Sequence, residues 1–247
     1  NMATSLRHWA ESSQLFNRLV SNGAISHELS EVGKVVFDED GDPFFQTQES
    51  LWLIHYLITS NHKKNGLWFY LFNIFNETVI IKEEFLFSAI SWFKNQGIQV
   101  NEKSIEKDFL CCMNMYNSSK LGTKKNEDLA LSSPLRELGL IKKVGNEFRF
   151  KQMNRPEIPD SVISFCLMDY LEKNDFQKFT PFSELLNGIK SPGRVFRLTE
   201  DVLQSYLRGF TKNTSGYEFD STAGMQQLIK KSDNKLNKNI MLKRIYE

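Results

Sequence analysis

The sequence predicts a mainly α-helical protein with small β-hairpins, in which tandem winged-helix-like units surround a central pair of apolar helices. Two observations lead to this fold class. An order of helices followed by a short two-stranded hairpin recurs along the chain. Two further segments are apolar on nearly every side, which indicates burial from several directions. The expected regions are a partial first winged-helix unit at 1–46, an apolar helical connector at 47–80, a second unit at 81–152, and a third unit with a basic tail at 153–247.

The first unit is predicted to open with a helix that is already under way at the start of the chain. Leu6, Trp9, Phe16 and Leu19 recur at helical spacing, and Asn22-Gly23 is suited to end that helix. Residues 24–37 then suggest a short strand, a turn at 32–34 and an apolar return, as in the small hairpin of a winged helix. Because the sequence begins with Asn rather than Met, we expect the first helices of this unit to be missing.

The connector and the second unit follow the same kind of pattern. Apolar helices are expected at 49–61 and 66–76 and should form the shared core. The second unit is predicted to contain a helix that stops at Gly97, a helix capped by Asn101, and a short helix opened by Pro134. Strands at 141–144 and 147–150 should pair across Gly145-Asn146.

A third copy of the pattern is predicted after residue 153. We expect a helix capped by Asp160, a short helix capped by Thr180 and stopped by Gly188, and a longer helix capped by Thr199. A wing could start within 216–220, and a basic tail follows from residue 226.

Composition excludes several classes of protein. The 247 residues, 40% of them apolar, are enough to bury a core without disulfides, and three cysteines form no disulfide framework. The longest apolar stretches, 51–58 and 67–72, are far shorter than a membrane-spanning helix, and no secretory signal precedes them. We therefore expect a cytoplasmic protein. A net charge of +1 is unlike that of a protein that coats nucleic acid, so any nucleic-acid contact must come from local basic patches.

The candidate nucleic-acid-binding residues are polar and cationic side chains placed opposite the apolar faces or on wings and loops. Arginine can bind guanine edges in pairs of hydrogen bonds, and lysine usually contacts phosphates. The alternative interpretation of each cluster is a solvated face, and winged helices also act as protein–protein modules. The candidates are Ser5, Arg7, His8, Ser12, Lys103, Lys107, Lys124, Lys125, Lys142, Lys143, Arg194 and Arg197.

The candidates for metal binding are weak. Asp38, Asp40, Asp42 and Glu49 stand at positions one, three, five and twelve of a calcium loop, but Pro43 occupies the position that requires glycine. Two of these carboxylates could instead hold Mg²⁺ for strand cleavage. The favoured interpretation is a turn ahead of the next helix within a solvated loop, so no metal ligand is assigned.

The remaining chemical candidates are also better explained by packing. His55 lies on an apolar helix and is interpreted as a core histidine, with a general base as the alternative. Cys111 and Cys112 are adjacent and point to different helix faces, so they make neither a redox pair nor a zinc half-site. Cys166 lies in an apolar helix. No phosphate-binding glycine loop or esterase motif is present in the sequence.

Several segments resemble a known family in the same order along most of the chain, up to about Lys230. They include NMATSLRHWAESSQLF, DGDPFFQTQESLWLIHYLITSN, SPLRELGLI and SPGRVFRL. The family consists of bacterial proteins, originally of unknown function, encoded beside DNA phosphorothioation genes, and it includes the SspB-like component of the Ssp system. No catalytic residue can be carried over from the resemblance.

The resemblance implies a DNA-binding component of a cytoplasmic defence system, which nicks DNA in preparation for sulfur insertion. Mg²⁺ or Mn²⁺ would be the cofactor for nicking. The implied partners are DNA, a cysteine desulfurase, an ATP-pyrophosphatase-like sulfur-transfer enzyme and an ATPase. The alternatives are a non-catalytic winged-helix scaffold that binds partner proteins, and a transcriptional regulator.

Overall fold

The computed structural model describes residues 2–120, 133–174, 178–222, 224, 226–231 and 236–247. Helices account for about half of the described residues, which also contain three small antiparallel sheets. The fold is therefore mixed α/β, with more sheet than a mainly α-helical chain with isolated wings would have. One continuous core of buried apolar side chains joins the N-terminal, central and C-terminal regions.

The N-terminal region differs from its prediction. Helix α1 (Met2–Ser12) is followed by strand β1 (Phe16–Ser21), strand β2 (Ala24–Leu29) and helix α2 (Glu31–Val36). The expected helix through Leu19 and the expected hairpin at 24–37 were both wrong. Asn22 (φ 50°) and Gly23 (φ +78°) form the two-residue turn of the β1–β2 hairpin instead of a helix end. An Asn-Gly pair satisfies either role, and here the left-handed turn matches the twist of paired strands.

The central apolar pair is confirmed. Helix α3 (Gln48–Ser60) begins after Thr47, whose hydroxyl accepts a hydrogen bond from the amide of Ser50. Helix α4 (Gly66–Phe69) continues into a π-helical turn at Tyr70–Ile74. The side-chain amide of Asn73 donates to the carbonyls of Thr59 (3.0 Å) and Phe69 (3.2 Å) and so ties this turn to the end of α3.

The second region matches its prediction closely. The amide of Ser104 donates to the Asn101 side chain at the start of its helix, Pro134 opens a short 3-10 helix, and Ile141 pairs with Phe150 across the predicted hairpin. In the sheet of this region, the strand that precedes the helices pairs with the second strand of the hairpin. The elements are β3 (Val79–Ile80), α5 (Lys82–Asn95), α6 (Glu102–Tyr116), β4 (Ile141–Val144) and β5 (Glu147–Phe150).

The third region repeats this order with two corrections. Pro159, and not Asp160, is the N-cap of its first helix, so Asp160 is the first helical residue. Thr180 lies in a strand, paired with Leu228, and does not cap the next helix. The first strand of this region again pairs with the second strand of its hairpin. The predicted basic tail contributes the last strand of this sheet and a final helix, which packs against the first helix of the region. The elements are α7 (Asp160–Lys173), β6 (Phe179–Pro181), α8 (Phe182–Asn187), α9 (Pro192–Val195), α10 (Glu200–Asn213), β7 (Tyr217–Asp220), β8 (Gln227–Lys230) and α11 (Lys238–Lys243).

Candidate nucleic-acid interface

The predicted residues on α1 divide into two groups. Ser5, Arg7 and His8 are exposed to solvent. Ser12 is fully buried at 0% exposure, and its carbonyl accepts hydrogen bonds from the side-chain amides of Asn61 (3.2 Å) and Asn65 (3.1 Å). The prediction that Ser12 lies on the exposed face of the helix was therefore wrong, because Ser12 is buried between α1 and the central helices.

The predicted lysines of the second region are all exposed where the structure describes them. Lys103 and Lys107 lie on α6, and Lys142 and Lys143 lie on the outer hairpin strand β4. The charge of α6 is mixed, since Glu102, Glu106 and Asp108 share that helix. Lys124 and Lys125 lie outside the described residues.

Arg194 and Arg197 have intramolecular partners, which corrects their assignment to DNA. Arg194 donates to the carbonyl of Asn73 (2.8 Å), and Arg197 donates to the carbonyls of Phe75 (3.1 Å) and Glu77 (3.0 Å). The Arg197 guanidinium also stacks 3.9 Å from the ring centre of Phe150. Burial, with the nearby Arg194 charge, lowers the pKa of Arg197 to about 10. Both side chains thus bind the carbonyls at the end of the π-helical turn and connect it to the third region.

The structure brings cationic side chains from separate segments of the chain together in a basic cleft. This cavity of about 670 Å³ lies between the start of the β1–β2 hairpin, the turn from α3 to α4, and helices α7 and α11. Three acidic side chains also line it, and Asp169 is the most buried of them at 3% exposure. The cationic side chains that line the basic cleft are Arg18, Lys63, Lys64, Lys173 and Lys238.

Ion pairs neutralise only part of the basic cleft. Asp169 accepts hydrogen bonds from Lys173 (2.6 Å) and Lys238 (3.3 Å). Lys64 and His27 both bind the Glu11 carboxylate, and these hydrogen bonds lower the pKa of Glu11 to about 2. Lys173 and Lys238 thus share the Asp169 carboxylate, and Lys64 shares the Glu11 carboxylate with the His27 ring.

Two further cations of the basic cleft have no such partner. The side chains of Arg18 and Lys63 make no hydrogen bond or ion pair with any part of the chain that the structure describes. Beside them, burial and the charges of Lys173 and Lys63 lower the pKa of Lys190, whose ammonium lies 5.7 Å from the ring centre of Phe69. The surface around the α3–α4 turn therefore carries uncompensated positive charge. The only local signal in the sequence was the run His62-Lys63-Lys64 between the two apolar helices.

The sequence matches, over residues 1–246, the family described as proteins of unknown function, DUF4007. The chain belongs to the DUF4007 family. This DUF4007 chain also has the fold of two solved structures of SspB, one of them magnesium ion-bound. Each comparison gives a TM-score of 0.83 and covers 99% of this chain and 74% of the other, at 23% and 22% identity. Comparison with curated proteins gives no significant match. The expected likeness to SspB is confirmed at the level of the fold.

The other chemical candidates of this DUF4007 chain are structural. His55 is fully buried, with Nδ1 2.9 Å from the Tyr116 hydroxyl and Nε2 3.2 Å from the Val195 carbonyl. Burial lowers the pKa of His55 to about 3, so the ring is neutral. This confirms the core interpretation. Cys112 and Cys166 are buried and Cys111 is exposed, as expected for neighbours on different helix faces.

The acidic segment is a cap for the central pair. Burial alone would raise the pKa of Asp42, but hydrogen bonds from the amides of Gln46 and Thr47 and from nearby hydroxyls lower it to about 2. This confirms the turn interpretation of Asp42-Pro43. Within the described ranges, no group of three or more histidine, cysteine, aspartate or glutamate side chains is placed to hold a metal ion. Every helix in those ranges is too short or too polar to span a bilayer.

Proposed function

We propose that this DUF4007 protein is a DNA-binding component of a bacterial DNA phosphorothioation defence system. The observation that carries the DNA-binding part is the basic cleft, where Arg18 and Lys63 add positive charge without an ion-pair partner in the described part of the chain. A phosphate backbone is the ligand class that such a surface attracts over several ångströms. The link to phosphorothioation is supported by the resemblance to SspB-like proteins and by the shared fold.

The second and third regions act as winged-helix units in this proposal. Each has a strand, then helices, then a hairpin whose second strand pairs with the first strand. In DNA-binding proteins of this kind a helix enters the major groove and the wing contacts the backbone. The wing of the second unit carries Lys142 and Lys143, which are exposed and suited to phosphate contacts. Exposed Arg7 and His8 on α1 are suited to base or phosphate contacts.

The proposal also covers the partner proteins and the cellular location. A cysteine desulfurase, an ATP-pyrophosphatase-like sulfur-transfer enzyme and an ATPase would act with this protein on DNA in the cytoplasm. Nicking with Mg²⁺ or Mn²⁺ is also part of the proposal, and it rests on the resemblance alone.

Duplex binding as a function of salt tests the DNA-binding part. Each neutralised phosphate contributes about −0.9 to the slope of log affinity against log salt concentration. Arg18, Lys63, Lys142 and Lys143 together predict a slope of about −3 to −4. Fluorescence anisotropy with a labelled duplex measures it. The control is Arg155→Ala, because Arg155 pairs with Glu157 at 3.5 Å and does not line the basic cleft. Absence of duplex binding at low salt would leave the scaffold function as the better proposal.

A plasmid relaxation assay tests nicking separately. The proposal predicts relaxed product with Mg²⁺ or Mn²⁺ and none with EDTA. A supercoiled band that is unchanged under every condition, with the partner proteins present, would remove nicking and leave DNA binding in place.

A further inference from the structure

The β1–β2 hairpin projects from the protein with both of its faces in solvent. Every residue from 19 to 26 is exposed, including Val20 at 64% and Ile25 at 55%. An isolated two-stranded hairpin gains little stability in water, and exposed apolar side chains at its tip gain none. Such an arm is typical of an element that inserts into a partner.

One face of the hairpin is layered from base to tip. Side chains on this face come from alternate residues of the paired strands. At the base, Phe16 packs against the core opposite Leu29. In the middle, Arg18 lies opposite His27, and at the tip Val20 lies opposite Ile25; these three cross-strand pairs follow from the register. The order is therefore apolar anchor, cation, and exposed apolar pair.

The base of the hairpin is continuous with the basic cleft. Phe16, Asn17 and Arg18 line the cleft together with Lys63 and Lys64. Residues 19–26 contain no acidic side chain. The tip thus carries no acidic side chain that would repel a polyanion. At the base, Arg18 lies near Glu28 and near the Glu11 carboxylate that His27 binds.

We infer that the hairpin is a DNA-bending arm that inserts Val20 and Ile25 into the minor groove, an inference that rests on the proposed DNA-binding function. Apolar side chains inserted between base steps kink the duplex in known minor-groove proteins. The minor groove is about 6 Å wide and 7.5 Å deep. Arg18 stands two residues below Val20, about 7 Å along the strand, so its guanidinium meets the phosphates when the tip reaches the groove floor.

Energy transfer between dyes at the two ends of a short duplex tests the arm. The wild-type protein is expected to raise the transfer efficiency, because bending shortens the end-to-end distance. The double variant Val20→Thr, Ile25→Thr keeps β-branched side chains but makes the tip polar. It is expected to abolish the rise and to weaken duplex affinity about tenfold. Leu19→Thr on the opposite face is the matched control, since Leu19 is also exposed at 42%, and it should bend DNA like the wild type.

The outcomes separate the arm from the function on which it rests. Failure of the wild type to bind duplex would overturn both. Binding without bending, bending that survives in the double variant, or equal loss in Leu19→Thr would overturn the arm alone. Sedimentation tests whether the hairpin binds a second copy of the chain instead of DNA. If the wild type is a dimer and the double variant is a monomer that still bends DNA, the arm is also overturned. If the double variant fails to fold, Val20→Thr alone carries the same test.

Discussion

Arg197 joins the third region to the central helices through its guanidinium. The side chain satisfies the carbonyls of Phe75 and Glu77 and covers the ring of Phe150. Arg197→Met removes these donors and leaves carbonyls with fewer partners. We expect a loss of about 2–4 kcal/mol in the free energy of unfolding, measured by urea denaturation.

Arg155→Met is the control for this substitution. Arg155 is exposed, and its contact with Glu157 is long at 3.5 Å. The substitution should therefore lower the free energy of unfolding by less than about 1 kcal/mol. Equal stability of the two variants would show that the Arg197 contacts carry no net stabilisation.

Glu11 gives the N-terminal region a dependence on pH. Hydrogen bonds from Lys64 and His27 lower its pKa from 4.5 to about 2 in the folded protein. A carboxyl with a lowered folded pKa stabilises the protein above its unfolded pKa, and that contribution is lost as the pH falls from 4.5 towards 2. Glu11→Gln should therefore be less stable than the wild type at pH 5, and the difference should shrink between pH 4.5 and 2. A difference that is constant over this range would contradict the assignment.

Residue identity alone predicted only some of these roles. The burial of His55 followed from its apolar neighbours in sequence. The roles of Ser12, Arg194 and Arg197 did not, because their partners lie about 50 to 120 residues away along the chain. A cation in a basic segment has the same sequence signature whether it meets DNA or an internal carbonyl.

Elements were predictable where their contacts are local. The hairpin of the second region pairs residues within ten positions, and its helix is capped by Asn101 from the adjacent position. The N-terminal hairpin was missed because Asn22-Gly23 suits a helix end and a strand turn equally. The spacing of four apolar residues favoured a helix through Leu19, but Leu19 is exposed and lies on a strand.

A matched pair of glycine substitutions tests the element packing. A Cβ on Gly33 in α2 would lie 2.1 Å from the backbone carbonyl oxygen of Leu15, so Gly33→Ala should destabilise the protein by more than about 3 kcal/mol. A Cβ on Gly209 in α10 would have no described atom within 4 Å apart from its chain neighbours and the backbone of its own helix. Gly209→Ala should stabilise by about 0.5–1 kcal/mol, because alanine favours the helix. Thermal unfolding of both variants measures the effects, and a neutral Gly33→Ala would contradict the packing of α2 on the segment before β1.

The wing of the second region is a separate element to test. Lys142→Ala with Lys143→Ala should reduce the salt slope of duplex binding by about 2 without changing stability, because both side chains are exposed. Circular dichroism and anisotropy measure the two effects. An unchanged slope would remove the wing from the interface.

At the scale of the whole molecule, the net charge of +1 does not show that five cationic side chains line one cleft. The basic cleft draws its cations from residues 18, 63–64, 173 and 238, which belong to the hairpin, the α3–α4 turn, α7 and α11. Segments so far apart form a common surface only after the core has assembled. Sequence patterning therefore could not predict the site, although it predicted the apolar pair around which the site is built.

The most direct measurement compares the salt dependence of duplex binding for the wild type and for Arg18→Ala with Lys63→Ala. Neither side chain has an ion-pair partner in the described part of the chain, so the fold should be unaffected. If the basic cleft holds DNA phosphates, the slope becomes less steep by about 2, and affinity falls for every duplex sequence alike. A slope equal to that of the wild type would contradict the basic cleft as the nucleic-acid interface.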